Sequence, residues 1–236
     1  MSIADKLTAI AENEHKVYEA GKQASADAFW NELQQNGELK DYDYIFTGRY
    51  WTGDNFKPKY TPITPLRAVS MFQYASNLNI DISEIVDFSN CAAISNTFNE
   101  SAITGVGTIN ATLNANNRIN YGFLNARKLK TIGKLIVSES IVYTQTFDNC
   151  AALENITFEG KIGNNINFQW STKLTKDSLY SIRDALYVSS VGSAKTATFS
   201  KTAVNAAFGV DVDDELTFNE EFVVWQDRTN WIFKYA

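Results

Sequence analysis

Phe147-Asp148-Asn149-Cys150-Ala151-Ala152-Leu153-Glu154-Asn155-Ile156 is the stretch on which the fold reading turns. It sets Phe147, Cys150, Leu153 and Ile156 at steps of three. Working backwards, the leading ring recurs as Phe123, Phe98 and Phe72, at intervals of 24, 25 and 26 residues. Small residues follow each ring at three (Ala75, Ser101, Ala126, Cys150), and aliphatics follow at five or six (Leu78, Ile103, Leu129, Leu153). Self-similarity at such a period is the mark of stacked layers, each hiding its apolar edge under the next. The expected fold class is therefore an α/β repeat, a solenoid whose units each give a short strand, a turn and an irregular or helical return. Stacked repeats present extended faces, so the architecture points to binding.

Composition narrows the partners. The chain has 236 residues, 44% of them hydrophobic and 13% aromatic, with a formal net charge of −6. Rigid rings fill a narrow core and also serve recognition. Phosphate binding needs a clustered basic face, and Arg127, Lys128 and Lys130 form only a short one, so nucleic acid is not an expected partner. The amino terminus carries Asp5, Glu12 and Glu14 in place of the basic start of a secretory signal. No run approaches the roughly 18–20 apolar residues needed to span a bilayer, so no membrane insertion is expected. Cys91 and Cys150 both stand in Asn-Cys-Ala-Ala. They read as small core residues in different layers, beyond disulfide reach of each other.

Four segments follow. Residues 1–35 are expected to form an N-terminal helix for oligomerisation or attachment. Ile3, Leu7, Ile10, Glu14, Val17, Gly21, Ala24 and Ala28 fall in alternating steps of four and three, a heptad seam. Ile3, Leu7, Ile10 and Val17 would meet a second copy in a parallel coiled coil, with a trimer among the stoichiometries. The alternative is a lone amphipathic helix packed on its own domain. Residues 36–66, with Pro58, Pro62 and Pro65 and many aromatics, are an aromatic linker and N-terminal cap. Residues 67–174 are the repeat array, with strands at Thr131–Val137, Asn155–Glu159 and from Ile166, where Trp170 is expected in the ring position of a degenerate fifth unit. Residues 175–236 are a C-terminal α/β cap continuing the stack. It has a helix over 176–188 capped by Thr175, a strand over 196–199, a short helix ended by Gly209, a helix over 218–228 and a last strand over 231–235.

The unit Phe147, Cys150, Leu153, Ile156 resembles the BspA-like leucine-rich repeat, with Thr146 in the place of its usual Ala. Ser101 and Ala126 stand where that family has Cys, and Thr104 where it has Leu. The resemblance covers about 110 residues and implies an irregular leucine-rich-repeat solenoid. A second resemblance covers the ends: Lys6 through Gly37 with Phe29-Trp30, then Trp51-Thr52 and Phe56-Lys57-Pro58-Lys59-Tyr60, and Leu174-Thr175-Lys176 to Asn230-Trp231. These look like modules of repeat proteins encoded in prophages of gut Gram-positive bacteria. That likeness implies a phage tail-associated or other virion-associated protein, possessing phage structural proteins as neighbours. Without it, the absence of a secretory signal implies the cytoplasm.

Chemistry is sparse in the sequence. His15, the lone histidine, lies on the polar side of the proposed helix, far from any nucleophile. Zinc-ligand spacing is missing, and Gly105-Val106-Gly107 is not followed by Lys-Ser/Thr, so no metal or other cofactor is expected. Asp211, Asp213, Asp214 and Glu215 could supply the paired carboxylates of a carbohydrate-active enzyme, but a solvated acidic loop is the plainer reading. Outward strand positions are the better candidates: Lys134, Thr157, Glu159, Asn167 and Gln169 should face an open surface suited to a polar ligand. The expected function is non-catalytic: binding and adhesion to a bacterial surface glycan or protein. A structural or decoration protein of a phage particle is the alternative.

Overall fold

The computed structural model describes residues 41–58, 61–114, 119–188, 192–228 and 230–236. The expected N-terminal helix, with Ile3, Leu7, Ile10, Val17 and His15, lies outside the described residues.

Six strands and three α-helices, besides a single 3-10 turn at Ala111–Leu113, are found among the described residues: β1 (Gly105–Asn110), β2 (Thr131–Val137), β3 (Asn155–Gly160), β4 (Ile166–Phe168), α1 (Lys176–Ala185), β5 (Lys195–Phe199), α2 (Lys201–Phe208), α3 (Glu220–Gln226) and β6 (Trp231–Tyr235). The strands form two separate parallel sheets, β1-β2-β3 and β4-β5-β6. The expected α/β repeat, an irregular BspA-like leucine-rich-repeat solenoid, is thus corrected to a mixed α/β fold with two three-stranded parallel sheets and three short helices. The physical reason lies in what the echo records. Ring spacing constrains which side chains stack, and it leaves the backbone between them free to be strand, turn or helix.

The rings themselves do stack. Phe46, Phe72, Phe98, Phe123, Phe147, Phe168, Phe199 and Phe233 make one column, each near-parallel to the next, with centroids 4.5–6.4 Å apart. Phe168, not Trp170, takes the ring position after Phe147; Trp170 is 49% exposed. At the first end Trp51 and Phe56 pack edge-on against Phe46, and all three are buried. The prolines between Phe56 and Phe72 therefore join segments that share one core.

Around the first five rings the backbone is turn. Each ring is flanked two residues before and two after by left-handed residues: Tyr44 and Gly48, Ser70 and Tyr74, Asn96 and Glu100, Tyr121 and Asn125, Gln145 and Asn149. Nine of these ten are not glycine, and the left-handed region is uncommon for such residues. Hydrogen bonds between turns offset the strain. Phe46, Phe72, Phe98 and Phe123 each donate their N–H to a carbonyl just before the next ring, at 2.8–3.0 Å. Asn149 also donates from Nδ2 to Asn125 Oδ1 at 2.8 Å.

Opposite the turns lies the first sheet. Ile132, Leu135 and Val137 are buried, and the register shifts between Ile132 and Leu135. Two inward residues three apart require such a bulge, since strict alternation would turn one of them out. Gly133 stacks on Gly107, where an added Cβ would come within 3.4 Å of the neighbouring backbone. The Gly-x-Gly at 105–107 is thus strand, placed where backbones approach closely. Both cysteines are free and fully buried; the Cys150 thiol donates to Phe123 O at 3.1 Å.

The helices follow local signals with trimmed ends. Thr175 caps α1, which stops at Ala185, three residues short of the expected limit. Gly209, left-handed at φ 63°, ends α2. α3 starts only at Glu220, behind an Asn219 cap, so Phe218 falls outside it.

Candidate functional site

β4, β5 and β6 alternate inward and outward residues. Ile166, Phe168, Ala197 and Phe199 are buried. The register sets Asn167 beside Thr198 and Thr198 beside Lys234. These three therefore stand abreast on the outer face, spanning about 10 Å across three strands. Thr196, two residues before Thr198, shares that face. With Tyr143 and Asn165 they line a pocket of about 330 Å³.

Each side chain has a local reason for its position. Asn164 Nδ2 donates to Glu139 O and Ile141 O, at 3.1 and 3.0 Å, and anchors the approach to β4 on the segment that carries Tyr143. Asn165 Oδ1 accepts from the Thr196 N–H at 2.8 Å, which ties β4 to β5. Asn167 Oδ1 accepts from the Gln169 N–H at 3.0 Å, and its Nδ2 donates to Asp148 Oδ1 at 3.3 Å. Tyr143 is buried with no hydrogen-bond partner for its hydroxyl, and desolvation holds its phenol well above the ordinary range. Lys234 is exposed and makes no ion pair among the described residues.

The sequence-derived candidates divide between the sheets. Lys134 on β2 pairs with Glu159 on β3 at 2.8 Å, and Thr157 is exposed on the same β3 strand. Those two charges neutralise each other. Asn167 and Gln169 stand together at the end of β4, and only Asn167 lines the pocket. Tyr143, Asn165, Thr196, Thr198 and Lys234 were not singled out from the sequence. Alternation in 196–199 and 231–235 could have placed Thr198 and Lys234 outward; it could not show that their strands are neighbours of β4.

The acidic loop is locally engaged. Asp213 pairs with Lys201 at 2.8 Å, Asp211 Oδ1 accepts from Asp213 N, and Asp214 Oδ1 accepts from Leu216 N. No group of three or more metal-ligating side chains comes together among the described residues. None of the described helices is long and apolar enough to cross a membrane. Comparison of the chain with protein-family profiles, curated proteins and solved structures gave no match.

Proposed function

We propose that this chain is a non-catalytic binding protein for a bacterial cell-surface ligand, a glycan before a protein loop, and that the outer face of β4-β5-β6 is where the ligand sits. The observation that carries the reading is the shallow, open depression of about 330 Å³ that amide, hydroxyl and ammonium side chains line together. Such groups on paired strands are pre-positioned for directional hydrogen bonds. Display on a phage or prophage tail is supported by the resemblance of the chain's ends and belongs to the same proposal. The test is a glycan array followed by whole-cell binding, with Thr198→Arg to fill the pocket. Binding that the substitution abolishes is the expected result; a protein that retains neither glycan nor cell binding in its unaltered form removes the reading.

One observation favours a second reading, a structural or decoration protein that packs on neighbouring subunits. Leu216 is 90% exposed and Phe218 77%, and Val223 and Val224 are exposed nearby in sequence. Apolar side chains this exposed are candidates for contact with another protein. Co-sedimentation with particles that is lost in Phe218→Ser and kept in Thr198→Arg would favour it over ligand capture.

A further inference from the structure

We infer that the pocket on β4-β5-β6 is a subsite for an oxyanion, a carboxylate or phosphate carried on a hydroxylated chain. This rests on the binding reading above and names the ligand class. The polarity of the groups on offer favours an anion. Asn165 and Asn167 each turn the oxygen of the side-chain amide to a backbone N–H, of Thr196 and Gln169 respectively. What remains for a ligand is the NH2 end of each. Asn167 sends one of its two hydrogens to Asp148 and keeps the other. Lys234 adds an ammonium with three donors and no acceptor. The hydroxyls of Thr196 and Thr198 can also donate, whereas the Tyr143 hydroxyl is buried beneath the surface.

Among the described residues no carboxylate lines the pocket. Asp148, which touches a lining residue, is engaged with Asn167. A neutral sugar hydroxyl brings a hydrogen that needs an acceptor, and the Thr196 and Thr198 hydroxyl oxygens supply it here, while the two NH2 ends and the ammonium can only donate. An oxyanion accepts only, so it matches a set of converging donors. The contrast with the other sheet is direct: there Lys134 already faces Glu159, and an anion would have to displace that carboxylate.

The experiment is equilibrium titration of the full chain with three probes: galacturonic acid trimer, the methyl ester of that trimer, and glycerol 3-phosphate. Two variants accompany it. Lys234→Met removes the charge from an exposed side chain. Asn165→Asp keeps the oxygen that holds Thr196 N–H and replaces the NH2 end with a negative oxygen, so the strand link survives while the donor is lost. The expected result is binding of the acid, with the ester, and either variant with the acid, weaker by about tenfold or more. Binding of the trimer alone identifies a carboxylate ligand; binding of glycerol 3-phosphate alone identifies a phosphate. Equal binding of acid and ester, unchanged affinity in Asn165→Asp, or no binding of either anion overturns the inference. A neutral glycan found on the array and blocked by Thr198→Arg would then leave the broader binding reading standing, whereas an empty array removes both.

Discussion

Phe123 lies between Phe98 and Phe147, with centroids at 5.2 and 5.6 Å and interplanar angles of 3° and 9°. A ring in that position contributes burial and offset stacking on both faces. Its loss also opens a cavity that neighbouring turns, held by hydrogen bonds, cannot readily close. Phe123→Ala should therefore cost about 3–5 kcal/mol. Trp170→Ala removes a larger side chain from an exposed position and should stay within about 0.5 kcal/mol. Urea denaturation of the two variants checks both figures. If the larger loss came from Trp170, the column would not be the core. At this scale the sequence was informative: Phe72, Phe98, Phe123 and Phe147 announced themselves by spacing. Phe46 stands 26 residues before Phe72 and carried the same signal, masked by the prolines between them. Phe168 comes early, 21 residues after Phe147, and Phe199 and Phe233 come late because α1, then α2 and α3, lengthen the intervals before them.

Between elements, the junction of β3 and α1 is made by hydroxyls. Ser178 Oγ accepts from Ile156 N at 3.0 Å and donates to Glu154 O at 3.0 Å; Ser181 Oγ accepts from Phe158 N at 2.8 Å. The helix thus supplies, from side chains, bonds that a fourth strand would have given to the edge of β3. Ser181→Ala leaves the Phe158 N–H unpaired in a partly buried place and should cost about 1–3 kcal/mol. Faster amide exchange at Phe158, with little change in β1, is the expected signature. A second link joins α1 to α3. Glu221 accepts from Lys176 Nζ at 2.7 Å and from the Tyr180 hydroxyl, and these two bonds, Lys176 first, hold its carboxyl below the ordinary value of 4.5. A depressed carboxylate stabilises the fold above its unfolded pKa and stops doing so as pH falls through the folded one. The protection of α3 amides, relative to their intrinsic exchange rate at each pH, should accordingly fall as pH drops below about 4.5. Glu221→Gln should show the lowered protection already at neutral pH; protection that ignores both pH and substitution would mean that α3 is held by Phe222 and Trp225 alone.

Across the molecule, eight rings pass without a break from the turns into the second sheet. A core shared this way should unfold as one unit. Tryptophan fluorescence and far-ultraviolet circular dichroism should report coincident transitions, and Phe123→Ala should move both by the same amount. Separate transitions would show that the sheets are independent. The candidate site was partly legible. Asn167 followed from alternation along one strand, but its neighbours Thr198 and Lys234 lie 31 and 67 residues further on, and only strand pairing makes them adjacent. Lys134 and Glu159 pair with each other at the surface, and that pairing could not be read from the sequence. By itself the sequence determined which side chains are oily and how far apart they recur, because burial is a property of each residue's chemistry and period. Tertiary structure alone decided that the backbone splits into two sheets rather than one repeat ladder, and that Asn167, Thr198 and Lys234 stand abreast. Those outcomes depend on hydrogen bonds between residues distant in the chain, which no local pattern encodes.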